Sequence, residues 1–296
     1  MSVEPRNRLY LPTPADIYNL QPAQIRAQWN ALYASLEQQL GATASLANFG
    51  DEPNAGLVSA ATFTAAKFNA SGLSPVWTPS VALDALATPM LLVNPNNWQG
   101  IIPFATLNGT SEDMTTPDDT YFTRIGAAFS IRIWVKASDI TSVTLMAKWS
   151  EVAGAELREW RLVINSASKL ALELYDESAN VTATRPSTLS IVVDTWTHCI
   201  ATYDGGDGAT AANGINLYIN GVLSNGTAVN DAAFVAMENL TTLPRIGSII
   251  VAGGGGGSYY AGQIAGAPLG PAFVQAALTA AQIANNFRVE RLAMGV

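Results

Sequence analysis

WTHCIATYDGGDGATAANGINLYINGVL, from Trp196 to Leu223, is the stretch that decides the fold. Two alternating runs, Trp196 to Tyr203 and Ile215 to Leu223, flank a loop of Gly, Ala and Asn, and the second run contains the pair Asn220-Gly221. Alternation of period two puts every other side chain on one face of a strand, and the glycine-rich interruptions are turn signals. The stretch reads as a β-hairpin followed by a further turn. Cys199, Ala201 and Tyr203 share a face, so Cys199 reads as a buried, inert thiol rather than a nucleophile. Trp196, Tyr203 and Leu217 read as scaffold core, and Asp204 to Asn213 as the loop where any function would have to sit.

The same alternation extends outward. In Phe129-Ser-Ile-Arg-Ile-Trp-Val135, the residues Phe129, Ile131, Ile133 and Val135 face one side, with Arg132 and Trp134 on the other. Further strands are predicted at Thr144 to Trp149, Glu159 to Ile164, Leu170 to Tyr175 and Ser187 to Val193. Many short strands with turn residues between them, and no helices intervening, indicate an antiparallel sandwich. The fold class is therefore all-β, an antiparallel β-sandwich, here with an N-terminal extended arm and one α-helix.

That arm occupies residues 1 to 20, where prolines at 5, 12 and 14 stand among Tyr10, Leu11, Ile17 and Tyr18. A helix follows, opened by Pro22 and stopped by Gly41. Ile25, Trp29, Leu32 and Leu36 form one narrow apolar stripe on it, spaced as the d and a positions of a coiled coil, and mark it as an assembly helix. Residues 42 to 104 are poorly periodic and rich in Ala, Asn and Pro. They read as an irregular connection packed on the sandwich, with short strands at Ala60 to Phe68 and Pro89 to Val93. The sandwich domain then occupies 105 to 296.

Composition narrows the function classes. Of 296 residues 49% are hydrophobic, enough for a sizeable core, but only 13% are charged, about half the usual share. Such a surface suits assemblies and extracellular particles. A net charge of -8 argues against nucleic acid, whose binding needs clustered Lys and Arg. One cysteine precludes an intrachain disulfide, and one histidine cannot build a zinc site of the usual type. No run approaches the ~18 apolar residues of a membrane span, and the proline-broken N-terminus lacks the apolar core of a secretory signal. A route out of the cell inside a virus particle is the expectation.

Four blocks, in order, resemble the laminin-G-like jelly rolls of the concanavalin A-like lectin/glucanase superfamily. Leu107-Asn-Gly109 is similar to the F-x-G opening, and FSIRIWVK from Phe129 to Lys136 to the strand that carries the family's tryptophan, here Trp134. Trp196, His198, Thr202, Tyr203, Asp204 and Gly205 match W-x-H-x-x-x-T-Y-D-G, and Leu217 to Val222 matches L-Y-x-N-G. Ile246-Gly247, Tyr260 to Ile264 and Ala277 to Ala284 resemble the closing strands and terminal turn of helix. The resemblance covers about 105 to 288, roughly two-thirds of the chain. Where many relatives place an acidic pair after F-x-G-x-I, this chain has Ala265-Gly266.

The superfamily contains glycoside hydrolases, so catalysis can be weighed against its own requirement. A retaining glycosidase needs two carboxylates about 5 to 5.5 Å apart. Glu173 and Asp176 fall on opposite faces of their strand, and Glu173 and Glu177 share a face with Tyr175 between them. His198 lies inside a strand and reads as a structural hydrogen-bonding group. The Gly253 to Gly257 run lacks the Lys-Ser/Thr and helix of a phosphate loop and reads as a loop tip. No catalytic residues and no cofactor are expected. Calcium, which related sandwiches bind through loop oxygens, has weak candidates in Asp204, Asp207 and Asn213, and a second acidic loop holds Glu112, Asp113, Asp118 and Asp119.

The resulting expectation is a non-enzymatic virion structural protein of a bacteriophage, a capsid decoration or head fibre or a tail fibre or spike, attached through its N-terminal segment to other virion proteins and to its own copies, as a trimer for example. The alternative is a lectin-like module for cell-surface glycans, with Trp149, Trp160, Tyr259 and Tyr260 as stacking candidates. A glycoside hydrolase is the third reading.

Overall fold

The computed structural model describes residues 104–266 and 269–296, together with three strand segments upstream. The N-terminal arm, the helix bearing Ile25, Trp29, Leu32 and Leu36, and the strand expected at Ala60 to Phe68 lie outside the described residues. In chain order the strands are β1 (Thr78–Pro79), β2 (Met90–Val93), β3 (Gln99–Ile102), β4 (Phe104–Asn108), β5 (Met114–Thr115), β6 (Phe129–Ala137), β7 (Val143–Ser150), β8 (Leu157–Ile164) and β9 (Lys169–Asp176). They continue with β10 (Val181–Ser190), β11 (Thr197–Tyr203), β12 (Ile215–Ile219), β13 (Val222–Leu223), β14 (Pro244–Ile246), β15 (Ile249–Ile250), β16 (Gly256–Gly257), β17 (Ala261–Ala265) and β18 (Ala272–Val274). Helix α1 (Ala280–Met294) follows.

Two sheets face each other. The first runs β1-β5-β14-β7-β8-β9-β10, with β15 and β16 attached beside β7, and the second runs β13-β12-β11-β6-β17-β4, with β18 also on β6. Pairing is antiparallel apart from a single parallel bridge between β15 and β7. β2 and β3 form a separate hairpin. The chain thus folds as the antiparallel β-sandwich that its alternation indicates, with the concanavalin A-like form that the resemblance implies.

Register explains the core. β11 lies against β6 so that Cys199, Ala201 and Tyr203 stand opposite Ile133, Ile131 and Phe129, and all six point between the sheets. From the first sheet Trp160, Leu162 and Ile164 of β8 and Leu170, Leu172 and Leu174 of β9 close the same core. Phe129, Tyr203 and Phe273 stack within it, with Phe129 5.7 Å from Tyr203 and 5.1 Å from Phe273. The turn between β12 and β13 uses Asn220 and Gly221 at φ of 52° and 76°, the left-handed conformations that this residue pair tolerates.

Two expectations about element boundaries need correction. The strand placed at Ser187 to Val193 runs instead from Val181 to Ser190, because Val192 and Val193 are exposed turn residues, and the true strand is polar. Among the described residues it is an edge strand, paired in the sheet with β9, where Pro186 and small inward residues such as Ala183 are tolerated. Trp196 is buried as a scaffold residue should be, in a cluster with Phe104 and Trp134 on the outer side of the second sheet. The terminal turn of helix is a full helix of 15 residues, started by a capping box of Thr279 and Gln282 and stopped by left-handed Gly295.

Candidate functional site

The outward faces of the two sheets are treated differently by the chain. On the second sheet, Arg132, Trp134, His198, Ile200 and Tyr218 point away from the core, and α1 lies over them with Ile283, Phe287, Glu290 and Met294. Glu290 accepts from Arg132 at 2.5 Å and from the Trp134 indole at 2.7 Å. His198 is fully buried and stacks on Trp134, centroids 4.8 Å apart, with Phe287 on the stack as well. Neither of its ring nitrogens has a hydrogen-bond partner, and Nε2 stands 3.5 Å from Glu290 Oε2. The expected structural hydrogen bond is replaced by aromatic stacking. Burial pushes the imidazole down to about 4, so it is neutral and committed to packing.

The outer face of the first sheet carries no helix among the described residues. Here Trp149 and Tyr175 meet edge to face at 5.1 Å, with Ala147 and Ile249 beside them. Arg161 lies 4.2 Å above the Trp149 ring and Arg158 4.0 Å above that of Tyr175. Each arginine is in turn held by a carboxylate. Arg161 bonds Glu173 at 2.6 Å, and Arg158 bonds Glu177 through two nitrogens at 2.9 and 2.6 Å. The Trp149 indole donates to Glu151, and the Tyr175 hydroxyl to Asn180 at 2.5 Å. Burial raises the Tyr175 phenol, keeping it a neutral donor.

A β-bulge makes this patch. The β7–β8 register passes from Lys148 opposite Trp160 to Trp149 opposite Arg158, leaving Glu159 as the extra residue. Strict alternation would send Arg158 and Arg161 to opposite faces. The bulge brings both to the outer face, which is why sequence periodicity missed them.

The glycan candidates separate accordingly. Trp160 and Tyr260 are corrected: both are buried between the sheets, donating to the carbonyls of Phe122 and Gln263, and they present no face for stacking. Trp149 is on the outer face but only 2% exposed beneath Arg161. Tyr259 is half-buried.

The carboxylates considered for chemistry are engaged one by one. Glu173 lies outside with Arg161, whereas Asp176 is buried on the other side of β9, accepting from Val235, Ala236, Ala179 and Ser178. Burial would raise the Asp176 carboxyl, but those hydrogen bonds outweigh it and hold it below the ordinary value. In the loop after β11, Asp204 accepts from the Gly206 amide and Asp207 from the Tyr203 hydroxyl at 2.9 Å, while Asn213 accepts from Asn230. Burial raises Asp207. In the other acidic loop Glu112 accepts from the Asn108 amide, Asp113 from Arg245 and Ser248, Asp118 pairs with Lys148, and Asp119 accepts from the Tyr121 amide. Among the described residues no group of three or more His, Cys, Asp or Glu is placed to hold a metal ion. Cys199 is buried, its thiol pushed up to about 12 by burial, which makes it inert.

Residues 108–284 match the laminin G family Laminin_G_3 of the concanavalin A-like lectin/glucanases superfamily, and the chain belongs to that family. No curated protein matches the sequence. Among solved structures, domain 4 of the GH43 arabinanase AbnA from Geobacillus stearothermophilus is 17% identical, with a TM-score of 0.41 over 65% of this chain and 84% of that one. The CBM40 of Ruminococcus gnavus IT-sialidase is 14% identical, with a TM-score of 0.43 over 62% and 95%. A heptameric SAP-like pentraxin from Limulus polyphemus is 15% identical, with a TM-score of 0.40 over 62% and 80%. At this distance such likenesses carry no ligand assignment.

Proposed function

We propose that the protein is a non-enzymatic structural component of a virus particle, a capsid decoration or a fibre or spike, that displays the sandwich and attaches through residues 1–41. The observation that carries the reading is the commitment of the sandwich's acid–base groups to structure. Glu173 and Glu177 neutralise Arg161 and Arg158, Asp176 caps a loop, and His198 and Cys199 are sealed in packing. A domain built this way is a scaffold, and the low charge content of 13% suits a subunit packed among others. The stripe of Ile25, Trp29, Leu32 and Leu36 supplies the apolar surface for attachment to other virion proteins and to copies of itself. Nucleic acid and membrane are not among its partners in this reading. The test is a chain lacking residues 1–41, which should fold as a sandwich by circular dichroism yet fail to join particles. Undiminished incorporation would overturn the reading.

A second reading is favoured by the outer face of the first sheet, over which no helix lies among the described residues and where Arg158, Arg161, Glu151 and Asn180 offer hydrogen-bonding groups around two aromatic rings. That face suits a polar ligand such as a glycan, met by the arginines rather than by bare rings. Display in many copies would turn weak binding into adhesion. A glycan array run in calcium and in chelator, with Arg161→Ala beside the wild type, tests it; absence of binding in both conditions would dismiss it.

A further inference from the structure

At one end of the sandwich a lysine is sealed among carboxylates. Lys148 of β7 is completely buried, and its Nζ lies 2.5 Å from Glu159 Oε1 and 2.9 Å from Asp118 Oδ1 while donating to Thr123 Oγ1 at 2.9 Å. The β-bulge at Glu159 is what turns this carboxylate inward beside the lysine rather than outward with Arg158 and Arg161. Glu159 is 1% exposed and anchored by the Leu240 amide at 2.8 Å. Asp118 lies in the loop between β5 and β6, its side chain 27% exposed, and its contact is with the lysine nitrogen.

One positive and two negative groups share this site. Burying such a set is costly, because the net charge is unbalanced and desolvation opposes every ionised member. Burial raises the Glu159 carboxyl to about 7, against the pull of the Lys148 charge and hydrogen bond. At neutral pH Glu159 can therefore both hold and release a proton, the property of a proton carrier. The fold also holds the amine and the Asp118 carboxyl in contact, and such fixed proximity stands for an effective concentration of on the order of 10⁵ M or more.

We propose that Lys148 and Asp118 become joined by an isopeptide bond, formed within the folded protein with Glu159 carrying the protons. The starting set is an ammonium on Lys148, a carboxylate on Asp118 and a neutral carboxylic acid on Glu159. A proton moves from Lys148 to Asp118 through Glu159, leaving a neutral amine and a neutral acid. The nitrogen lone pair attacks Cγ of Asp118, and the new C–N bond gives a tetrahedral centre whose oxygen is stabilised by the Glu159 acid proton. Glu159 then gives its proton to the departing hydroxyl and, as the carboxylate so formed, takes one from the nitrogen. The C–O bond breaks, and one water leaves through the exposed side of Asp118. Ammonium and carboxylate have become amide and water, nothing is oxidised or reduced, and Glu159 is regenerated as the acid. Asp118 rather than Glu159 is the acyl donor because Glu159 is pinned to Leu240 and shut away from solvent, whereas Asp118 sits where water can escape. The product removes the buried Lys148 charge together with that of the part-exposed Asp118 and staples the β5–β6 loop to β7.

Mass spectrometry of the purified chain decides the matter without any variant. The denatured protein is expected one water lighter than its sequence, and digestion should yield a branched peptide containing Lys148 and Asp118. Asp118→Ala and Glu159→Gln should keep their full sequence masses. Asp118→Asn should lose ammonia instead of water and reach the same mass as the cross-linked wild type. Recovery of Lys148 and Asp118 in separate linear peptides, after prolonged incubation of the folded wild type at neutral pH, would overturn the proposal and leave an ion pair. Complete cross-linking of Glu159→Gln would overturn the role given to Glu159.

Discussion

The indole N–H of Trp134 and the carboxylate of Glu290 meet at 2.7 Å, joining the central strand β6 to the C-terminal helix. Arg132, two residues earlier on the same face of β6, reaches the other oxygen of that carboxylate at 2.5 Å. One acidic side chain thus holds the helix against the second sheet. Glu290→Ala would take the acceptor from the Trp134 indole and the charge partner from the part-buried Arg132, which keeps its bond to the Gly270 carbonyl, at a cost of about 3 kcal/mol. Glu290→Gln, which keeps an acceptor for the indole, should cost less. Urea unfolding followed by tryptophan fluorescence measures both.

Acid should weaken the sandwich through His198. Burial lowers its folded value to about 4, the Glu290 charge opposing this and the Arg132 charge adding to it. The unfolded histidine takes up its proton near 6.5. Between these values the unfolded state holds a proton that the folded state refuses, so stability falls as pH falls from about 6.5 towards 4, by up to about 1.4 kcal/mol per unit. Glu159 acts with the opposite sign, its raised value giving stability that is lost as pH rises through about 7. That contribution cancels when wild type is compared with His198→Phe. Unfolding at pH 7 and pH 4.5 should show the wild type losing more than the variant.

Trp160 and Tyr259, both aromatic candidates for sugar stacking by sequence, should differ sharply in their effect on stability. Trp160→Ala empties a fully buried site between the sheets and should cost about 4 kcal/mol. Tyr259→Ala, at a half-buried loop position, should stay within about 1 kcal/mol of wild type. Thermal melts of the two variants compare them directly.

The turn at Asn220-Gly221 should be intolerant of a side chain. Gly221 sits at a φ of 76°, and a Cβ there would lie 2.9 Å from Cβ of Phe287 in α1. Gly221→Ala should therefore cost about 1–2 kcal/mol, more than the conformational penalty alone. Loss of the Phe287 contact should appear as a change in near-ultraviolet circular dichroism.

Where alternation is unbroken, the residues announce their places. Phe129, Ile131, Ile133 and Val135, with Cys199, Ala201 and Tyr203 opposite, follow a simple period of two into the core. The opposite faces of Glu173 and Asp176 were legible for the same reason. Legibility ends at the bulge, where one extra residue shifts Arg158 to the face of Arg161 and turns Glu159 in towards Lys148. It ends also at β10, whose polar, proline-bearing edge carries little apolar signal, and at α1, whose contact through Glu290 is a tertiary match between residues 132, 134 and 290. No periodicity within a single element could reveal that match.

The proposal of a displayed sandwich built into a virus particle is tested most directly by quantitative mass spectrometry of particles purified from the natural source of the chain. The expected result is the chain present in a fixed copy number of many per particle, retained through gradient purification. Its absence from particles, with the protein recovered free from the same lysates, would contradict the claim.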